Sequence, residues 1–198
     1  QIVDNLANSL KNKNSKILIQ ISTDQVYDSN YPSKESDINI SNVYSLTKFL
    51  GEKVAKNCPS IILRTNFFGK SKITNRLSLS DWIIYNLKNN ITFTGFSDVI
   101  FNPISIYTLC KIIRRIIENP IIGTFNVGSR DYISKLNFAC QICHLLKKDI
   151  QLIRDGTVDS VDLFSYRPKN MSMNISKFEK SYEYNLPLVK DELKHINF

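Results

Sequence analysis

Glycine is scarce in this chain, and where it falls excludes more than how little there is. The six glycines, Gly51, Gly69, Gly95, Gly123, Gly128 and Gly156, form neither Gly-x-Gly-x-x-Gly nor Gly-x-x-Gly-x-x-Gly. No segment therefore reads as the Gly-rich strand-turn-helix that seats a pyrophosphate on a helix N-terminus. Gly123 to Gly128 has the spacing of a phosphate loop, but no Lys-Ser/Thr follows it. Histidine is limited to two residues and cysteine to four. Cys140-Gln-Ile-Cys143 has no second pair, so it reads as core thiols on one helix face rather than as a zinc or redox motif, and no metal site is expected. Cys58 and Cys110 complete a set too sparse for a disulfide framework in a chain of this size, which points to a reducing, cytoplasmic setting. No apolar run approaches the ~18 residues of a membrane span. No basic run interleaved with aromatics marks a nucleic-acid surface. Repeats and low-complexity tracts are absent. The first residue is Gln1 rather than Met, so a targeting segment is not legible.

What is present is ordinary globular material. Of 198 residues, 42% are hydrophobic and 22% charged, enough for a proper core and one to two domains. The net charge of +8 suits phosphate-bearing ligands. It is weak as a signal, because the lysines are scattered and form no patch.

The informative stretch runs from Ile17 to Gly69. Ile17-Leu18-Ile19-Gln20-Ile21 reads as a strand buried on both faces, ending in Ser22-Thr23-Asp24. After a polar loop over residues 28–40, Val43, Leu46, Leu50 and Val54 recur at helical spacing and predict a buried stripe, with Tyr44 and Lys48 one turn apart beside it. A second buried strand, Ile61-Ile62-Leu63, is closed by Arg64-Thr65-Asn66-Phe67-Phe68-Gly69. Glu35 and Asp37 in the loop could be an acid/base pair; loop anchors held by side-chain hydrogen bonds are the preferred reading.

Reducing a ketone by hydride transfer leaves an oxyanion that must be protonated, and a free phenol is too weak an acid near neutral pH. Bringing a tyrosine from about 10 to about 7 takes roughly 4 kcal/mol, which a neighbouring ammonium in a partly dry site can supply. Spacing i, i+4 puts Lys48 on the helix face of Tyr44. Thr23, at the carboxyl end of a parallel strand, could hydrogen-bond the same carbonyl oxygen. A Tyr-x-x-x-Lys pair alone proves little, since nine tyrosines and nineteen lysines produce about one by chance. Tyr107 with Lys111 is a second such pair, read as a helix tyrosine beside a solvated lysine.

Taken together, Ser22-Thr23-Asp24-Gln25-Val26-Tyr27, Glu35-x-Asp37, Asn42-Val43-Tyr44-x-x-Thr47-Lys48-x-x-Gly51-Glu52 and Leu63-Arg64-Thr65 resemble the extended short-chain dehydrogenase/reductases. Within them the resemblance is closest to the dTDP-4-dehydrorhamnose reductase family. It is specific over residues 17–69 and looser beyond. It implies Tyr44 as proton donor, Lys48 as its tuner and holder of the nicotinamide ribose, and Thr23 with Asp24 against the sugar. It adds Thr65 on the cofactor side, with Asn66, Phe67 and Arg167 on the substrate side; Arg167 could equally form a structural ion pair. Ser45 replaces a usual glycine, Ile40 a usual proline, and Phe67 a usual tryptophan, the last leaving the sugar open.

Along the rest of the chain, residues 3–13 predict a helix packing on the sheet through Ile2, Leu6, Ala7 and Leu10. Residues 69–80, with Lys70, Lys72 and Arg76, predict a mobile substrate-side loop. Leu79 to Leu87 is a helix with Trp82 as a buried anchor. Ile91-Thr92-Phe93 is a strand, and Asp98 to Ile104 is a turn. Residues 105–118 form a helix with Ile112, Ile113, Ile116 and Ile117 in the core. Gly123 to Gly128 is a strand, Ser134 caps a helix to about Lys147, residues 150–153 are a strand, and residues 187–196 close with a helix.

The expected fold is thus α/β: a Rossmann-type doubly wound parallel sheet truncated at its N-terminal half, with a small C-terminal substrate-binding portion. Residues 1–69 would be the latter part of the cofactor domain. Residues 70–198 would be mainly substrate-binding, with about 91–130 returning to the sheet. The expected reaction is reduction by NADPH or NADH of a nucleotide-linked 4-keto-6-deoxysugar, dTDP-4-dehydro-L-rhamnose by preference, with the fragment itself binding dinucleotide poorly and inactive. The partners expected are the nucleotide sugar and a second copy in a homodimer, without nucleic acid or membrane. Epimerisation or dehydration on the same residues, or a non-catalytic regulatory subunit on the same fold, are the alternatives.

Overall fold

The computed structural model describes residues 1–11, 13, 16–71, 73, 77–162 and 165–196; Lys72 and Arg76 of the basic loop lie outside them. The chain opens with α1 (Ile2–Leu10), β1 (Leu18–Ile21), a 3-10 turn (Asp24–Val26), α2 (Val43–Ala55) and β2 (Ser60–Phe68). There follow α3 (Leu79–Lys88), β3 (Phe93–Phe96), β4 (Ile100–Phe101), β5 (Pro103–Ser105), α4 (Ile106–Glu118) and β6 (Gly123–Val127). The last are β7 (Ile133–Ser134), α5 (Lys135–Leu145), β8 (Ile153–Gly156), α6 (Ser176–Tyr182) and α7 (Val189–Glu192).

Parallel strands need a long crossover. α2 provides it between β1 and β2, which pair with Ile21 opposite Leu63, and α4 provides it between β5 and β6. β2 is long enough to take two partners on its other side, β6 along Ile61–Thr65 and β5 along Asn66–Phe68. The resulting sheet is parallel throughout, as a Rossmann-type α/β fold requires. Of the segments expected to return to it, β5 and β6 do, while β3 pairs with β8 and β4 with β7.

Two apolar clusters follow from this division. One joins Ile61, Leu63 and Phe125 of the sheet to Ile112 and Ile116 of α4 and Phe178 of α6. The other sets Phe68 at the end of β2 among Ile83, Phe101, Phe138 and Ile142, with Phe138 meeting Phe68 and Phe101 edge to face at 5.2 and 5.5 Å.

Several expectations need correction. The strand at β1 is half-buried, not fully buried, because among the described residues β2 is its only strand neighbour. The stripe on α2 faces outward: Val43 is 76% exposed, Leu46 and Leu50 are exposed, and Val54 is half-buried. The face α2 turns to the sheet carries Ser45, Glu52 and Ala55 instead, because it meets a buried arginine on β2. α1 rests on α2, where Val3 lies over Gly51, so of its predicted stripe only Ala7 is buried and Ile2 and Leu6 are exposed. Trp82 is partly exposed, edge to face with Phe93 at 4.9 Å, and Ile117 is exposed. Residues 150–152 form a 3-10 turn before β8, and residues 193–195 a 3-10 turn after α7. No helix among the described residues is long and apolar enough to cross a membrane.

Candidate active site

The carboxyl ends of β1 and β2 lie side by side, which is where an open parallel sheet gathers ligands. Thr23 ends the β1 segment as N-cap of the 3-10 turn. Its Oγ1 accepts from the Gln25 amide at 3.2 Å and donates to the Asp24 carboxylate at 3.3 Å. Asn66, near the end of β2, donates from Nδ2 to the other Asp24 oxygen at 2.7 Å. Thr65 beside it is buried, and its hydroxyl has no partner among the described residues. Phe67, on the same side of the strand, is half exposed.

α2 is anchored to this end by both of its polar markers. Asn42 caps it by accepting from the Ser45 amide at 2.8 Å, and its Nδ2 reaches Gln25 Oε1 at 3.4 Å and the Tyr166 carbonyl at 3.2 Å. Lys48 donates from Nζ to the Ile21 carbonyl, the last of β1, at 2.7 Å. Burial pulls its pKa below the ordinary lysine value, with the Glu52 charge opposing. Tyr44, one turn earlier on α2, is half exposed. The segment around Arg167 is strapped across the same end: the Tyr166 hydroxyl and the Lys169 and Asn170 amides all donate to Asp28. Asp24 thus joins Thr23 to Asn66, Lys48 grips β1, and Asn42 bridges the first turn of α2 to the Arg167 segment.

Asp24 is the titrating group of the site. Burial pushes its carboxyl up to about 6, against the Asn66 hydrogen bond, the Lys135 charge and the Thr23 hydrogen bond. A folded-state pKa above the unfolded one means that the native state binds the extra proton. Stability from this group is therefore full below about pH 4 and lost as pH rises through about 6. The shift corresponds to about 3 kcal/mol, already net of the Lys135 charge and the hydrogen bonds that favour the ionised form. Asp24→Asn is expected to raise unfolding stability at pH 8 by about 1–2 kcal/mol and to flatten its pH dependence between 4 and 6. Denaturant titrations at both pH values check this; equal or lower stability of the variant at pH 8 would contradict it.

The loop carboxylates act as anchors: Glu35 accepts from the Asn126 amide at 3.0 Å, and Asp37 from Ser36 and the Lys34 amide. Lys111 lies 4.2 Å over the exposed Tyr107 ring in the first two turns of α4. All four cysteines are free thiols. Sequence reasoning missed Lys135, whose ammonium acts on Asp24 from 111 residues away. The available signal was a lysine in the first turn of a helix, where the dipole disfavours it.

A cavity of about 670 Å³ opens beside the site, walled by Trp82, Phe93 and Phe96 and carrying Lys135 and Arg167.

Comparison with known proteins gives the family and the fold. A family model described as the RmlD substrate binding domain matches residues 1–197. No curated protein sequence matches the chain. Among solved structures, a dTDP-4-dehydrorhamnose reductase ortholog of Clostridium acetobutylicum superposes with a TM-score of 0.86 at 25% identity, covering 97% of this chain and 68% of that one. The dTDP-4-dehydrorhamnose reductase of Bacillus anthracis, in complex with NADP, does so with a TM-score of 0.86 at 21% identity and the same coverage. A dTDP-glucose 4,6-dehydratase of Bacillus anthracis, in complex with NAD, gives a TM-score of 0.79 at 17% identity, covering 98% and 64%.

Proposed function

We propose that this chain, which belongs to the RmlD substrate binding domain family, contributes the catalytic face of an NAD(P)H-dependent reductase of a nucleotide-linked 4-keto-6-deoxysugar, dTDP-4-dehydro-L-rhamnose by preference. The observation that carries the reading is the Lys48 hydrogen bond to the Ile21 carbonyl. It holds the α2 face that carries Lys48 against the end of β1, and Tyr44 lies one turn earlier on the same helix. The buried Thr65 hydroxyl, without a partner among the described residues, and the Lys48 ammonium suit the hydroxyls of a nicotinamide ribose. Such a cofactor, when bound, supplies the hydride. Tyr44 gives its proton to the carbonyl oxygen of the sugar, Thr23 steadies that oxygen by a hydrogen bond, and Lys48 offsets the phenolate charge left behind. Asn66 and Asp24 receive sugar hydroxyls, Phe67 flanks the ring, and Arg167 meets the diphosphate.

Dehydration of the same class of sugar needs a base for carbon and an acid for the leaving hydroxyl. Asp24 supplies one carboxyl, and its neighbour Gln25 cannot titrate, so reduction is the better-supported reading. The test is NADPH consumption by the full-length protein across a panel of nucleotide-linked 4-keto sugars, with product analysis. Stoichiometric oxidation with formation of the 4-hydroxy sugar is expected. Turnover without net NADPH use would assign an epimerase or dehydratase, and no turnover on any sugar a non-catalytic subunit.

A further inference from the structure

Lys135 stands where an ammonium is costly. It opens α5, at the positive end of the helix dipole, with its side chain half-buried. Burial pulls its pKa below the ordinary lysine value and the Arg167 charge pulls the same way, with only Asp24 opposing. Among the described residues it forms no ion pair, and neither does Arg167. Both open into the 670 Å³ cavity, whose lining among the described residues holds no carboxylate.

The placement is rigid. The Lys135 amide donates to the Val99 carbonyl at 2.9 Å, and the Ser134 side chain caps the helix by accepting from the Asn137 amide at 3.0 Å. Gly95 of β3 lets the first turn of α5 sit directly on the strand, since a Cβ there would come within 3.0 Å of Leu136 Cα. The backbone on either side of Arg167 is held by the Tyr166 and Lys169 bonds to Asp28, with Pro168 buried beside it and the arginine side chain exposed. Two unpaired cations held in one aromatic-walled cavity form a preorganised receptor for a group carrying two negative charges.

We propose that Lys135 is a substrate-specificity residue that takes one phosphate of a nucleoside diphosphate, with Arg167 taking the other. This rests on the nucleotide-sugar reading above. Lys135 shares the lining of this cavity with Arg167. Its point charge suits one phosphate, while the Arg167 fork can bridge two oxygens of the other.

The test is calorimetric titration of the full-length protein with dTDP and, separately, with thymidine. Lys135→Met is expected to weaken dTDP binding about tenfold to a hundredfold while leaving thymidine binding unchanged, the loss of one charge-assisted contact. Lys135→Arg is expected to restore dTDP binding to within about threefold of the parent, since it keeps the charge. Thermal melts accompany both, with Lys135→Gln as a second charge-removing variant. Unchanged dTDP binding in Lys135→Met or Lys135→Gln overturns the proposal and leaves the nucleotide-sugar reading standing. A parent protein that binds no dTDP at all overturns both.

Discussion

Replacing Tyr44 by phenylalanine is expected to lower turnover on the keto sugar by about 10²- to 10⁴-fold, the span of a positioned general acid, while folding and cofactor affinity stay close to the parent. The Tyr44 ring is half exposed and its hydroxyl has no hydrogen-bond partner among the described residues. Deleting that oxygen removes no internal contact, so a loss of rate reports on chemistry alone. Lys48 is a poorer probe, because its Nζ also holds the last carbonyl of β1, and its removal would mix positioning with catalysis. Steady-state NADPH oxidation, with cofactor binding followed by fluorescence, separates the two effects. Turnover within about threefold of the parent would take Tyr44 out of the mechanism.

Local patterns in the sequence carried the parts of this fold that depend on local rules. The apolar runs that became β1 and β2, the cap at Ser134, and the spacing of Tyr44 and Lys48 are all read within a dozen residues. The failures share a cause. Val43, Leu46 and Leu50 do form one helical stripe, but periodicity says only that a face is apolar, not what lies against it. The face toward the sheet is polar because Glu52 meets Arg64, a contact between α2 and β2 that no amphipathic pattern encodes. Lys135 was hidden for a similar reason, since the Asp24 carboxyl that feels its charge lies 111 residues away in the sequence. Arg167 could be singled out by its motif, yet its orientation depends on Asp28 gathering three donors from the Tyr166–Asn170 segment.

The second large effect is expected from Arg64→Met, which should destabilise the protein by about 3–5 kcal/mol, the cost of leaving one member of a buried ion pair without its partner. Arg64 and Glu52 are both almost fully buried and meet through Nη2 to Oε2 at 2.6 Å, with Nε also reaching the carboxylate. Nη1 donates to the Tyr27 hydroxyl and to the Glu35 carbonyl, each at 2.7 Å. Tyr27 in turn donates to Asn126 at 2.6 Å, and burial pushes its phenol up to about 12, so it remains a neutral donor. Asn126 closes the network on the carbonyls of Ser33 and Asn174. Methionine fills much of the arginine's volume but satisfies none of these groups, and it strands the Glu52 carboxylate beside Ser22. In a chain of this size the loss corresponds to a fall in Tm of about 10 °C. Pairing the change with Glu52→Gln removes the stranded charge, so the double variant is expected to be more stable than Arg64→Met alone. The network also bears on the site, because the Glu52 charge, one turn beyond Lys48, opposes the burial that pulls the lysine pKa down. Denaturant titrations of the parent, both single variants and the double variant complete the cycle. A cost below about 1 kcal/mol for Arg64→Met, or a double variant that loses the sum of the two singles, would mean that the pair does not hold α2 against β2.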